Sequence, residues 1–202
     1  MLKLNTQVSL TKWGERILFG IQYDLNLSGK ELSQLSLENF EVEYGGVLYG
    51  QLEIKVNDQL FGSCDPENPQ PLRDFSEAPI IAWLGLLCDV VVLKQSHPYV
   101  ALNSLDEVFL WFEFVDIGKS NLQVALIQVD ERLNTNDFII TERINQISKC
   151  LWKEEIKKQE LITEILLKAD GLVYYLENVN PALLKSSSIK SLAKRVSVLK
   201  KG

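Results

Sequence analysis

From Ile17 to Leu25 the apolar side chains Ile17, Phe19, Ile21, Tyr23 and Leu25 fall on every second position, with Arg16, Gln22 and Asp24 among the polar ones. A two-residue period sets one face of a strand against a core and the other in water. Leu52, Ile54 and Val56 alternate with Glu53 and Lys55 in the same way. The Asn57-Asp58 pair accepts positive φ at modest cost before Leu60-Phe61 resumes, so Val47 to Gly62 reads as an antiparallel hairpin. The first 60 residues as a whole read as strands.

Three prolines within six residues, Pro66, Pro69 and Pro71, make Ser63 to Ser76 an extended loop, because each removes a backbone donor and fixes φ. Ser76 then stands as a helix N-cap, with Glu77 near the positive dipole end and Pro79 in the first turn. Ile80 to Leu93 is apolar on nearly all sides and reads as a buried helix, although Val90-Val91-Val92 suits a strand equally well. Val100 to Val129 reads as a second hairpin, turned by Gly118-Lys119-Ser120-Asn121. Val108, Leu110, Phe112 and Phe114 line one face of its first arm and Phe109, Trp111 and Val115 the other, as expected of a central strand covered on both sides.

Beyond Asn136 the period becomes helical. Ile140, Ile144, Ile147 and Leu151 are spaced 4, 3 and 4 apart, and Leu161 and Ile165 continue the stripe opposite a face of Lys and Glu. One long helix, or two abutting ones, is expected up to Gly171, which is placed to end it in the left-handed region. Ile189, Leu192, Val196 and Leu199 predict a further amphipathic helix in the tail. The chain therefore reads as one α+β domain over 1–202, strand-rich from 1 to 130 and helical from 137 to 202. Its sheet is mostly antiparallel and packed by helices, with a long helix in the C-terminal third.

Composition agrees with that reading: 202 residues at 46% apolar and 24% charged bury a core without help from metals or disulfides. Cys64, Cys88 and Cys150 are odd in number and widely spaced, which fits a reducing compartment. The start, Met-Leu-Lys-Leu-Asn-Thr-Gln, carries no secretory pattern. Asp89 interrupts the longest apolar run, which is also shorter than the roughly 20 residues of a membrane span. The expectation is a cytoplasmic protein with no membrane partner.

Charge changes the picture more. The net charge is −6, but Met1 to Asp137 holds 20 acidic and 9 basic residues, net −11, and Phe138 to Gly202 holds 7 acidic and 12 basic, net +5. Such a field opposes nucleic acid over most of the surface and attracts a cationic partner. The basic tail, Lys185 to Gly202, is expected to dock on the acidic body or to form a solvated face. Asp65, Glu67, Asp74 and Glu77 cluster around the prolines and form the candidate partner-binding surface, since a stiffened anionic loop presents charge at little ordering cost.

No pattern names a reaction. The single histidine, His97, with Cys88 or Cys64 forms a nucleophile pair only if folding makes them neighbours. Cys88 lies in Leu-Leu-Cys-Asp-Val-Val, where a buried inert thiol is the ordinary outcome. Three cysteines and one histidine at intervals of 24, 9 and 53 residues lack the close knuckle of a zinc site. Gly45-Gly46 to Gly50 leads into a strand and not a helix, so no phosphate loop is present. The carboxylate pairs Glu41/Glu43, Asp65/Glu67 and Asp106/Glu107 have the spacing of solvated faces. Glu113, between Phe112 and Phe114, needs a basic or hydrogen-bonding partner, because burying a lone carboxylate is costly. No metal or cofactor is expected.

The passage Gly50-Gln-Leu-Glu-Ile-Lys-Val-Asn-Asp-Gln-Leu-Phe-Gly62, followed by an acidic loop and a buried segment, resembles part of the small cytoplasmic immunity proteins that accompany bacterial polymorphic and contact-dependent toxins. The resemblance implies an acidic α+β domain without catalytic residues that binds a cognate toxin, commonly a basic nuclease, over its active site. A non-enzymatic protein that neutralises a protein partner is therefore the leading expectation. An enzyme built on His97 with Cys88 or nearby carboxylates is the first alternative. A subunit of a larger assembly, with Trp13, Trp83, Trp111 or Trp152 in an exposed patch, is the second.

Overall fold

The computed structural model describes residues 18–62, 77–131 and 137–201. Strand β1 (Phe19–Leu25) pairs antiparallel with β2 (Tyr49–Val56), which turns through Asn57, at φ 54°, into β3 (Gln59–Gly62). The expected hairpin and its turn are therefore present. The expectation of strands throughout the first 60 residues is not met, because α1 (Gly29–Gln34) and α2 (Leu37–Glu43) lie between β1 and β2. Both are short, and their caps define them. Ser28 accepts from the Glu31 N–H while the Glu31 carboxylate accepts from the Ser28 N–H at 2.8 Å, and Ser36 accepts from Asn39.

Helix α3 spans Ile80–Leu93, so the valine run is helical. Its start differs from expectation: Ser76 lies outside the described residues, Pro79 is the N-cap, and Ala78–Pro79 forms a two-residue strand, β4, on the edge of β2. The proline fits there because its missing donor falls at a helix start and a sheet edge. Nine residues of α3 are buried because both sheets and the C-terminal helices surround it.

The second sheet runs β8-β5-β6-β7-β9, all antiparallel, with β5 (Tyr99–Asn103), β6 (Leu110–Gly118), β7 (Asn121–Val129), β8 (Ile139–Ile140) and β9 (Ile147–Lys157). Val100 to Val129 is thus a three-stranded meander and not one hairpin. β6 occupies the centre as expected, but Val108 and Phe109 precede it and are exposed. The helix expected from 137 onward begins only at α4 (Lys158–Val179). Gly171 lies inside α4, which ends at Asn180 before Pro181, and α5 (Ser187–Leu199) buries Ile189, Leu192, Val196 and Leu199 as predicted.

One apolar core joins both sheets to α3, α4 and α5. Its aromatic centre is Phe112 of β6, whose ring lies 4.7 Å from Phe61 of β3, 6.4 Å from Trp83 of α3 and 5.9 Å from Trp152 of β9. The outer edge of β1 is closed by α4: the Ile21 N–H donates to Glu164 Oε1 at 2.8 Å and the Tyr23 hydroxyl to the Lys168 carbonyl at 3.2 Å. Such contacts leave less of the edge strand open to foreign pairing. Among the described residues no helix is long and apolar enough to cross a membrane.

Candidate functional site

An open cleft of about 320 Å³ lies where the two ends of β2 and α2 meet the chain entering α3, lined by Asn26, Leu27, Tyr44, Tyr49 and Glu77. Backbone conformation builds it. Gly45 and Gly46, at φ 62° and 70°, turn the chain sharply from α2 into β2, and the Gly46 N–H returns to the Phe40 carbonyl at 2.9 Å. That left-handed pair leaves Tyr44 at the end of α2 and Tyr49 at the start of β2 on the same cleft. On the other side the chain leaving β1 crosses directly over Gly50, where an added Cβ would stand 2.1 Å from the Asp24 carbonyl oxygen. Only glycine admits that approach, which brings Asn26 and Leu27 to the cleft.

The C-terminal helices hold this corner in place. Asn180, buried, donates through Nδ2 to the carbonyls of Leu32 and Leu35 at 2.8 and 2.7 Å, satisfying orphan acceptors at the end of α1. Ser188 Oγ at the start of α5 donates to the Gly46 carbonyl at 2.5 Å. These long-range polar contacts leave no signal in periodicity, and the residues that line the cleft were equally invisible apart from Glu77.

The stretch that supplies four of the lining residues is strongly acidic. From Leu18 to Tyr49 the exposed carboxylates are Asp24, Glu31, Glu38, Glu41 and Glu43, against Lys30 alone, and exposed Glu77 adds a sixth. Val42 is 77% and Tyr49 43% exposed within it. Large apolar and aromatic groups set in a field of one charge are the composition of a recognition surface with contact anchors. Of the four residues proposed from sequence, Glu77 sits on this cleft, and Asp65, Glu67 and Asp74 lie outside the described residues.

Other candidates resolve differently. Cys88 is buried on α3, its thiol pushed up to about 12 by desolvation and the neighbouring Asp89. His97 lies four residues beyond the end of the same helix, and among the described residues no hydrogen bond joins it to Cys88. Cys64 lies outside the described residues. Glu113 accepts a hydrogen bond from the Tyr99 hydroxyl at 2.6 Å, and that oxygen accepts from the Ile144 N–H at 3.2 Å. Burial first, and the carboxylate second, raise the Tyr99 phenol well above its ordinary range. The partner expected for Glu113 is thus a phenol and not a cation.

Two tail residues dock on the body as expected, Arg195 on Asp89 at 2.8 Å and Lys200 on Asp170 at 2.7 Å. Trp83, Trp111 and Trp152 are buried and form no exposed patch, and Trp13 lies outside the described residues. Among the described residues no three His, Cys, Asp or Glu side chains converge in a way that would hold a metal ion. Comparison of the chain with protein-family models, curated proteins and solved structures returns no match.

Proposed function

We propose that this chain is a non-enzymatic binding protein that captures and neutralises a cationic protein partner, in the manner of a bacterial immunity protein blocking its toxin. The observation that carries the reading is the acidic stretch through β1, α1 and α2, where from Leu18 to Tyr49 five exposed carboxylates stand against Lys30 alone, with Val42 and Tyr49 exposed in the same stretch and Glu77 exposed on the cleft. The field of such a face accelerates encounter with a basic surface, while the apolar groups supply short-range contact. The segment with Asp65, Glu67 and Asp74 extends the same negative charge in sequence up to Glu77.

The test uses the polypeptide encoded beside this chain, followed by stopped-flow association at 50 and 500 mM salt. The expected result is a stoichiometric complex that abolishes the partner's toxicity, with an association rate falling about tenfold or more across that range. Reversal of Glu38, Glu41 and Glu43 to lysine, and separately of Asp65, Glu67, Asp74 and Glu77, slows association and changes dissociation little. An association rate indifferent to salt and to both reversals overturns the reading.

A further inference from the structure

The cleft has a more specific chemistry than the face around it. Two tyrosines and a carboxylate converge on about 320 Å³, at the low end of the roughly 300–1,000 Å³ of small-molecule sites and suited to one long side chain. The side chains of Tyr44, Tyr49 and Glu77 have no hydrogen-bond or ion-pair partner among the described residues, the two tyrosine carbonyls being taken by the Val47 and Asn26 N–H groups. Among the described residues no lysine or arginine lines the cleft, so none of them neutralises Glu77 there. Among the described residues a single carboxylate also falls short of the ligand set of a metal ion.

We propose that this cleft takes one arginine side chain of the partner, its guanidinium against the Tyr44 and Tyr49 rings and paired with Glu77. Leu27 offers apolar surface to the aliphatic stem, and Asn26 lies at the same rim. Arginine fits better than lysine because its planar, weakly hydrated fork stacks on an aromatic face while donating two parallel bonds to a carboxylate. The assignment rests on the cationic-partner reading and adds the residue that the partner inserts.

Hexa-arginine, hexa-lysine and neutral hexa-citrulline peptides, titrated at 50 mM salt into the isotopically labelled full chain and followed by amide chemical shifts, test it. Hexa-arginine is expected to shift Asn26, Leu27, Tyr44, Tyr49 and Glu77 and to bind about three- to tenfold more tightly than hexa-lysine, with hexa-citrulline inert. Tyr49→Ala and Glu77→Gln each weaken hexa-arginine about three- to tenfold, whereas Glu43→Gln, outside the cleft, changes it less than about twofold. Both sites are exposed, and the dispersion of the free spectra verifies folding. Hexa-arginine that maps to α2 and ignores Tyr49→Ala and Glu77→Gln overturns the arginine cleft while leaving a cationic partner in place. Absence of binding by either cationic peptide overturns both.

Discussion

Asp116 ties three elements together through one carboxylate oxygen: Oδ1 lies 3.1 Å from Nζ of Lys94, at the end of α3, and 2.8 Å from Nζ of Lys158, at the start of α4. Burial pushes Asp116 upward, but the two ammonium groups outweigh it and hold the carboxyl below its ordinary range. For Lys94 the balance is reversed, because desolvation lowers it more than Asp116 raises it. The two shifts point opposite ways in stability. With side chains 5% and 26% exposed, the cost of burial falls on the lysine, and the cluster is close to neutral overall while intolerant of losing its anion. Asp116→Asn is therefore expected to destabilise the fold by about 2 kcal/mol at pH 7, a buried-pair loss reduced for partial exposure. Since the folded value of Asp116 lies below the unfolded one, its contribution is complete above about pH 4 and disappears as pH falls through the folded value. Urea unfolding at pH 7, 4 and 2.5 will show a shallower acid decline in the variant; parallel declines would remove Asp116 from the account. At this scale the sequence was partly legible: Glu113 stood out between two phenylalanines, but Tyr99, 14 residues away, carried no mark as its partner.

The largest departure from expectation lies in β9. Its Lys and Glu content and the 4, 3, 4 spacing of Ile140 to Leu151 favour a helix, yet Trp152 and Ile156 point inward as a strand requires. The register explains why alternation was hidden. Leu126 faces Trp152 while Ile127 faces Cys150, and Gln128 faces Lys149 while Val129 faces Ile147, so Leu151 and Ser148 are extra residues in two bulges. Each bulge shifts the two-residue period by one and scrambles the apolar pattern. In α3, by contrast, the Ile80 to Leu93 run marked the buried segment, and only the helix start, expected at a Ser76 cap, fell three residues early. Gly171 is the converse case, a residue with the chemistry of a helix end used in a helix interior. Its position is exposed and an added Cβ meets nothing within 4 Å. Gly171→Ala is expected to stabilise the protein by about 1 kcal/mol, raising the Tm by roughly 2–4 °C in calorimetry. Destabilisation would mean that the helix ends there after all.

Across the whole molecule the two sheets do not share a strand; they are joined by side chains. Phe112 touches Phe61 of the first sheet, Trp83 of α3 and Trp152 of β9, and is 2% exposed. Phe112→Ala is expected to cost about 4 kcal/mol, the transfer loss plus a cavity that three other rings cannot close, whereas Phe138→Ala, at a position 47% exposed, costs under about 0.5 kcal/mol. Denaturant midpoints compared at equal slope decide between them, and similar losses would show that the aromatic centre is not what couples the sheets. The same architecture places the candidate site, since the acidic corner of α1 and α2 is held by Asn180 and Ser188 from the far end of the chain.

Alternation and apolar runs are local records of burial, so the sequence by itself determined the α+β class, the β2–β3 hairpin, the buried run of α3, the central place of β6, the amphipathic α5 and the division of charge between the two ends. Pairing, bulges and left-handed turns are set by contacts between residues far apart in the chain, and these only the tertiary structure decided. The cleft belongs to that second group. Asn26, Tyr44 and Tyr49 are unremarked along the chain and join Glu77 in one surface because β1 crosses Gly50, two glycines reverse the backbone, and β4 returns to the edge of β2.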